Sequence, residues 1–254
     1  MSGPALERIR VYFDERLLAY DTGSGFFEHP PHELLCVNEK HPENGDRVRN
    51  IHSVCIKGPI GARLLAMLLL LRLTSLAAAP HLDWHTPLRE ATVAELAATH
   101  DTAYLESLQV ASVTGKRFGA STVLPQGGWT CIALAGGAAL DAADAVLNDG
   151  VTKIAFCLVR PPGHHAARAS NDGYCHVNNA AVAANCAAAA GHRVAIIDFD
   201  VHRACPRYPA LVLDIVSLPA CFLLTCAFHR FSQTAMARRA SFTTAATCFA
   251  FRCT

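Results

Sequence analysis

Three short segments of this 254-residue chain carry the side chains best suited to chemistry near neutral pH. Asp198-Phe199-Asp200-Val201-His202 sets two carboxylates and an imidazole at alternate positions. Alternate side chains of an extended strand share a face, so the three can point the same way. Two carboxylates and an imidazole suit zinc or a similar borderline cation. Taken alone, the same pattern also reads as a solvated acid pair at a strand terminus. Arg160-Pro161-Pro162-Gly163-His164-His165 places two adjacent histidines on a proline-shaped loop. Histidine is the natural acid and base in this pH range, although a lone His-His pair is equally a polar loop feature. Gly173-Tyr174-Cys175-His176-Val177-Asn178-Asn179 leads into a helical stretch and says little by itself.

The flanking elements explain how these segments could meet. Lys153–Val159 is a nearly continuous apolar run, as in a strand buried on both faces, and it ends where the tandem histidines begin. Val194–Phe199 is a second such run and leads into the Asp-x-Asp-x-His segment. Between them, Val182–Ala190 is an Ala-rich helix stopped by Gly191. Strand, helix, strand in this order is a βαβ unit, so the chain is predicted to be α/β, with a parallel sheet and helices on both faces. The carboxyl ends of such strands are where open α/β sheets place ligands. Upstream, residues 9–14 read as a first strand and 47–56 as a helix. Thr92-Val93-Ala94-Glu95 fits a capping box. Asp101 can cap a helix through Tyr104 and Leu108, and Trp129–Leu147 is a long Ala-rich helix closed by Asn148-Asp149-Gly150.

Bulk properties narrow the classes. Hydrophobic residues make up 52% and charged residues 17%, enough for one sizeable core, and a net charge of +1 gives no electrostatic case for nucleic-acid binding. The N-terminus has no long apolar segment of the secretory kind. The most apolar run, Leu64–Ala79, is interrupted by Arg72 and is shorter than the roughly 20 residues that span a bilayer, so a buried helix is expected and no membrane partner. The 11 cysteines, with no Cys-x-x-Cys pair, read as buried thiols in a reducing compartment, cytoplasmic or nuclear. Cys175 is the one candidate redox thiol, with a buried inert cysteine as the alternative. No Gly-x-Gly-x-x-Gly follows a strand, which counts against a dinucleotide-binding enzyme.

Together, the three segments resemble the histone deacetylase family of the arginase–deacetylase fold, in the form typical of class II and acetylpolyamine-hydrolysing members. The likeness extends to His41-Pro42-Glu43 with Arg47-Val48, to Ala91-Thr92 with Glu95-Leu96, His100 and Tyr104-Leu105, and to Val123-Leu124-Pro125 before Trp129. It covers about residues 9–202. The resemblance implies a three-layer fold with a central parallel sheet, and hydrolysis of acetyl-lysine in histones or other proteins, or of acetylpolyamine, by metal-activated water. It implies Zn2+ held by Asp200 and His202, with His165 as principal general base and acid and His164 as electrostatic helper. Asp198 would orient His164, and its backbone would help line a structural monovalent-cation (K+) site. Gly173 and Tyr174 would form the floor and an aromatic wall of the acyl-lysine tunnel. An arginase-like dimanganese site would favour Asp-x-His-x-Asp, the reverse of the order found here.

The pattern breaks after His202. The family's second histidine and Gly-rich turn are replaced by Arg203-Ala204-Cys205-Pro206. The third zinc ligand, the orienting partner of His165 and the Gly-Gly-Gly-Tyr segment have no counterpart; Asp214 lies too close to the motif to serve. Residues 203–254 hold five of the 11 cysteines, six of the 12 phenylalanines, and no Gly or Lys. We therefore expect residues 1–202 to be the N-terminal part of a deacetylase-like catalytic domain, with an open sheet edge, and 203–254 to be an aberrant tail. A frameshift, retained intron or alternative transcript would produce such a tail. The competing reading is a catalytically dead, truncated pseudoenzyme that acts at most as a binding module.

Overall fold

The computed structural model describes residues 8–24, 40–57, 82–119, 121–198, 222–227 and 247–252. Its main sheet has six strands: β1 (Ile9–Tyr12), β2 (Leu82–His85), β5 (Ile154–Leu158), β6 (Val194–Asp198), β7 (Phe222–Ala227) and β8 (Thr247–Arg252). A separate hairpin pairs β3 (Lys116–Phe118) with β4 (Thr122–Leu124). The order across the main sheet is β2-β1-β5-β8-β7-β6. Pairing is parallel at β2-β1-β5 and at β7-β6, and β8 runs antiparallel to both of its neighbours.

Alternation along the strands gives the sheet two apolar faces. Val11, Phe13 and Leu158 pack with Val48 and Ile51 of α1 (Gly45–Lys57) on one face. Tyr12, Ala155 and Cys157 join the larger cluster on the other. That second face is covered by α4 (Gly128–Asn148) and α5 (Asn179–Ala189), with α2 (Val93–Ala97) and α3 (Thr102–Thr114) packed outside them. Helices therefore lie on both sides of the sheet, as expected. α4 is long and apolar enough to cross a membrane by length and composition, but most of it is buried here as the central core helix. The Leu64–Ala79 run lies outside the described residues.

Three local expectations meet different outcomes. The capping box is complete: Glu95 N–H donates to Thr92 Oγ1 at 3.2 Å, and Thr92 N–H donates to Glu95 Oε2 at 2.7 Å. Thr92→Ala is expected to cost about 1 kcal/mol, read as a lower urea midpoint with an unchanged slope. Asp101 does sit at the N-cap of α3, but its side chain makes no cap bond. It accepts from Arg168 Nε at 2.6 Å instead, because the charged partner is the stronger donor. α5 begins earlier than the Ala run implied, since Asn178 Oδ1 caps it by accepting from Ala181 N–H at 3.0 Å.

The βαβ reading holds for strand direction and leaves the spacing of the two strands open. β5 and β6 run in the same direction but are not neighbours, because β8 and β7 stand between them. Three strand spacings put them roughly 14 Å apart. Residues from both must therefore meet through the loop that follows β5, not across adjacent strand ends.

Candidate active site

The loop after β5 starts with a buried anchor. Arg160 is 1% exposed and Glu43 2%. Arg160 Nε and Nη2 donate to Glu43 Oε1 and Oε2 at 2.9 and 2.6 Å, a two-pronged fork that fixes the guanidinium plane. Nη1 donates to Leu17 O at 3.3 Å, and the guanidinium lies 5.2 Å from the Tyr20 ring centre. Arg47 Nη1 stands 3.7 Å from the same carboxylate, and burial lowers its pKa. The early His41-Pro42-Glu43…Arg47 pattern thus serves to tie down the start of the tandem-His loop.

From that anchor the loop crosses to β6. Gly163 permits the crossing: a Cβ there would lie 2.5 Å from Val177 O and 2.7 Å from Asn179 N. The loop then delivers His164 Nδ1 to 2.9 Å from Asp198 Oδ2, at the last residue of β6. An ionised carboxylate can only accept, so Nδ1 carries the hydrogen and Nε2 is left as the base position. The His165 ring lies against His164, with centroids 3.9 Å apart at 41°. Gly173, at φ 47°, lies directly over His165: a Cβ there would overlap its Cδ2 and come within 2.9 Å of its Cγ. Tyr174 follows at φ 71°, a left-handed conformation costly for a residue with a side chain, and is 6% exposed. The structure thus gathers His164, His165, Asp198, Gly173 and Tyr174.

Asp200 and His202 lie outside the described residues. As donors, one carboxylate and one imidazole are the right chemistry for zinc, but they are one ligand short of the three that a catalytic site uses. Among the described residues, no group of three His, Cys, Asp or Glu could hold a metal ion.

Three further histidines brace the site, and spacing alone gave none of them a role. His100 Nδ1–H donates to Ala167 O at 2.9 Å while Nε2 accepts from Asn178 N–H at 3.0 Å, which ties the loop to the start of α5. His41 Nε2–H donates to Ser121 O at 3.0 Å, and its Nδ1 accepts from Glu43 N–H at 3.2 Å. His176, fully buried, has Nε2 3.3 Å from Val123 O, and its ring centre lies 5.9 Å from that of Phe118 at a steep angle. Its Nδ1 finds no hydrogen-bond partner among the described residues.

Burial pushes the pKa of all three downward, that of His176 from the ordinary 6.5 to about 4. In the unfolded chain these rings take up protons near 6.5, while the folded protein resists doing so. Stability is therefore full above about pH 6.5 and falls as pH drops from there towards about 4. The share of His176 is about 3 kcal/mol. His176→Phe is expected to flatten the pH dependence of the urea midpoint across this window, and an unchanged slope would contradict it.

An α/β sheet that gathers an imidazole pair and an orienting carboxylate at its strand ends has the groups for acid/base chemistry where such sheets place ligands. Comparison with known proteins carries this further. The Histone deacetylase domain model matches residues 41–204. "Histone deacetylase 8" of Arabidopsis thaliana is 41% identical over 201 residues, covering 77% of this chain and 48% of that protein. "Polyamine deacetylase HDAC10" of Homo sapiens is 39% identical over 124 residues, covering 45% of this chain and 18% of that protein. The crystal structure of the HDA15 HD domain superposes with a TM-score of 0.58 at 32% identity, over 78% of this chain and 48% of that one. The chain belongs to the histone deacetylase family, and its fold is the arginase–deacetylase fold. It spans about half the length of the first of these relatives, 48%, and of the solved structure, also 48%.

Proposed function

We propose that the protein is a zinc-dependent deacetylase that hydrolyses the acetamide of acetyl-lysine in histones or other proteins, or of an acetylpolyamine. The observation that carries this reading is the Asp198–His164 contact with the His165 ring tilted against His164. In this reading Asp198 fixes the tautomer of His164 and supports positive charge there. His165 takes a proton from the attacking water and returns one to the departing amine. Gly173, whose missing side chain makes room for the His165 ring, would form the floor of the acyl-lysine passage, and Tyr174 offers an apolar ring to the lysine stem. Asp200 and His202 would hold the zinc, which when bound supplies a polarised carbonyl and an activated water. The backbone at Asp198 would help line a monovalent-cation (K+) site. Localisation in the cytoplasm or nucleus belongs to the same proposal.

The test is acetate release from an acetyl-lysine peptide and from acetylspermidine. Release should be blocked by a hydroxamate chelator and lost in His165→Ala. Release no greater than from the His165→Ala variant would sink the proposal.

One observation favours a second reading, a non-catalytic pseudoenzyme. The family match ends at residue 204, and the sequence beyond it has no Asp in a Gly-rich segment of the family's kind. Less than one zinc per chain after reconstitution, with no acetate released, would support this reading. One tightly held zinc would exclude it.

A further inference from the structure

We infer that His41 is a positioning residue: it holds the Tyr174 ring in place as the wall of the acyl-lysine passage and so sets substrate affinity, not the chemical step. This rests on the deacetylase reading above.

Tyr174 has a left-handed backbone, φ 71°, which persists only where the surroundings over-determine it. Two described contacts do so. Its N–H donates to Thr122 Oγ1 at 3.1 Å, and its ring meets His41 at 5.1 Å between centroids and 82° between planes. That is the edge-to-face arrangement in which a ring's positive edge meets a π face. His41 is itself immobilised at three points. Its backbone N–H donates to Gly23 O at 3.1 Å, its Nδ1 accepts from Glu43 N–H, and its Nε2–H donates to Ser121 O.

Both ring nitrogens are thus committed to the backbone, and the residue is 1% exposed. No proton is available for transfer, so an acid/base role is ruled out by geometry. What remains is the ring contact. Ser121 and Thr122 are consecutive, so one stretch of the β3–β4 hairpin anchors both His41 and Tyr174. Glu43, two residues on, is the carboxylate that pins Arg160. His41 therefore couples the wall of the passage to the anchor of the tandem-His loop.

Two variants separate positioning from stability. His41→Gln keeps an amide able to reach Ser121 O but removes the ring. His41→Phe keeps a ring but gives up both hydrogen bonds. The full chain is labelled with 3-fluorotyrosine, and the Tyr174 19F signal is assigned by its loss in Tyr174→Phe. We expect His41→Gln to move that signal and to raise KM for an acetyl-lysine peptide roughly tenfold, with kcat within about twofold. His41→Phe should lower the unfolding midpoint yet leave KM within about threefold. If the wild-type chain binds the peptide without turnover, its Kd replaces KM. An unchanged KM and 19F signal in His41→Gln, or a fall in kcat alone, would overturn the inference. If wild-type chain neither binds nor hydrolyses the peptide while the Tyr174 signal still moves, the deacetylase reading fails and takes the substrate role with it. The ring contact would stand.

Discussion

Glu43→Gln is expected to destabilise the protein by about 3–5 kcal/mol, the typical cost of breaking a buried ion pair from one side. The reason lies in the local count of charges. Two buried guanidiniums, Arg160 and Arg47, face this single carboxylate, one through a two-pronged bond and one at 3.7 Å. Neutralising the carboxylate leaves both cations desolvated without it. Arg160→Met is expected to cost less, because Glu43 then keeps Arg47 beside it and the methionine fills much of the vacated volume. The ordering is the test: urea unfolding should rank wild type above Arg160→Met above Glu43→Gln. The reverse order would show that the Arg160 fork, not the shared carboxylate, holds this region.

Gly173→Ala should act mainly on activity. Its added methyl would sit where the His165 ring now lies, and an imidazole can rotate away where a backbone cannot. A shift of about 1 Å in an acid/base group costs on the order of 10²-fold in rate. The stability loss should be confined to about 1–2 kcal/mol for an alanine at φ 47°. Gly163→Ala makes the contrast, since its methyl would meet the backbone at Val177 and Asn179, which cannot step aside. That variant should lose stability first, with a lower melting temperature. Acetyl-lysine turnover and thermal midpoint measured on both variants would separate the two effects. Equal losses of both quantities in each variant would contradict this account.

What could be read in the sequence tracks what is local. The apolar runs at β5 and β6 and the Ala-rich helices stood out because composition and period agree over many residues. The meeting of His164 with Asp198 was expected from the family resemblance, and the strand pattern agreed with it by placing both segments at the carboxyl ends of buried strands. β3 and β4, at three residues each, are too short for a two-residue period to declare itself. β2, only Leu82–His85, has the same difficulty. The order of the strands was not legible, since the βαβ rule gives direction and hand but not how many strands intervene. The buried anchor was invisible for another reason. Glu43 and Arg160 are 117 residues apart, and nothing near either of them announces the partner. His41 and His100 stood in recognisable patterns, yet their roles came only with the backbone groups that grip them.

The insertion of β8 and β7 between β5 and β6 also bears on how the protein is made. β2, β1 and β5 can pair once residue 158 has left the ribosome, and β1 meets both of the others directly. Among the described residues, the two halves of the sheet join through the pairing of Ile154–Leu158 with Thr247–Phe251, nearly a hundred residues later in the chain. Contacts this distant carry a large loop-closure cost and form slowly. During synthesis, His164 and His165 therefore emerge well before β8, which stands between their strand and the pair that carries Asp198. The histidine pair should acquire its final geometry late, after translation of β8, and a nascent chain halted before residue 247 would expose the flank of β5 to other strands.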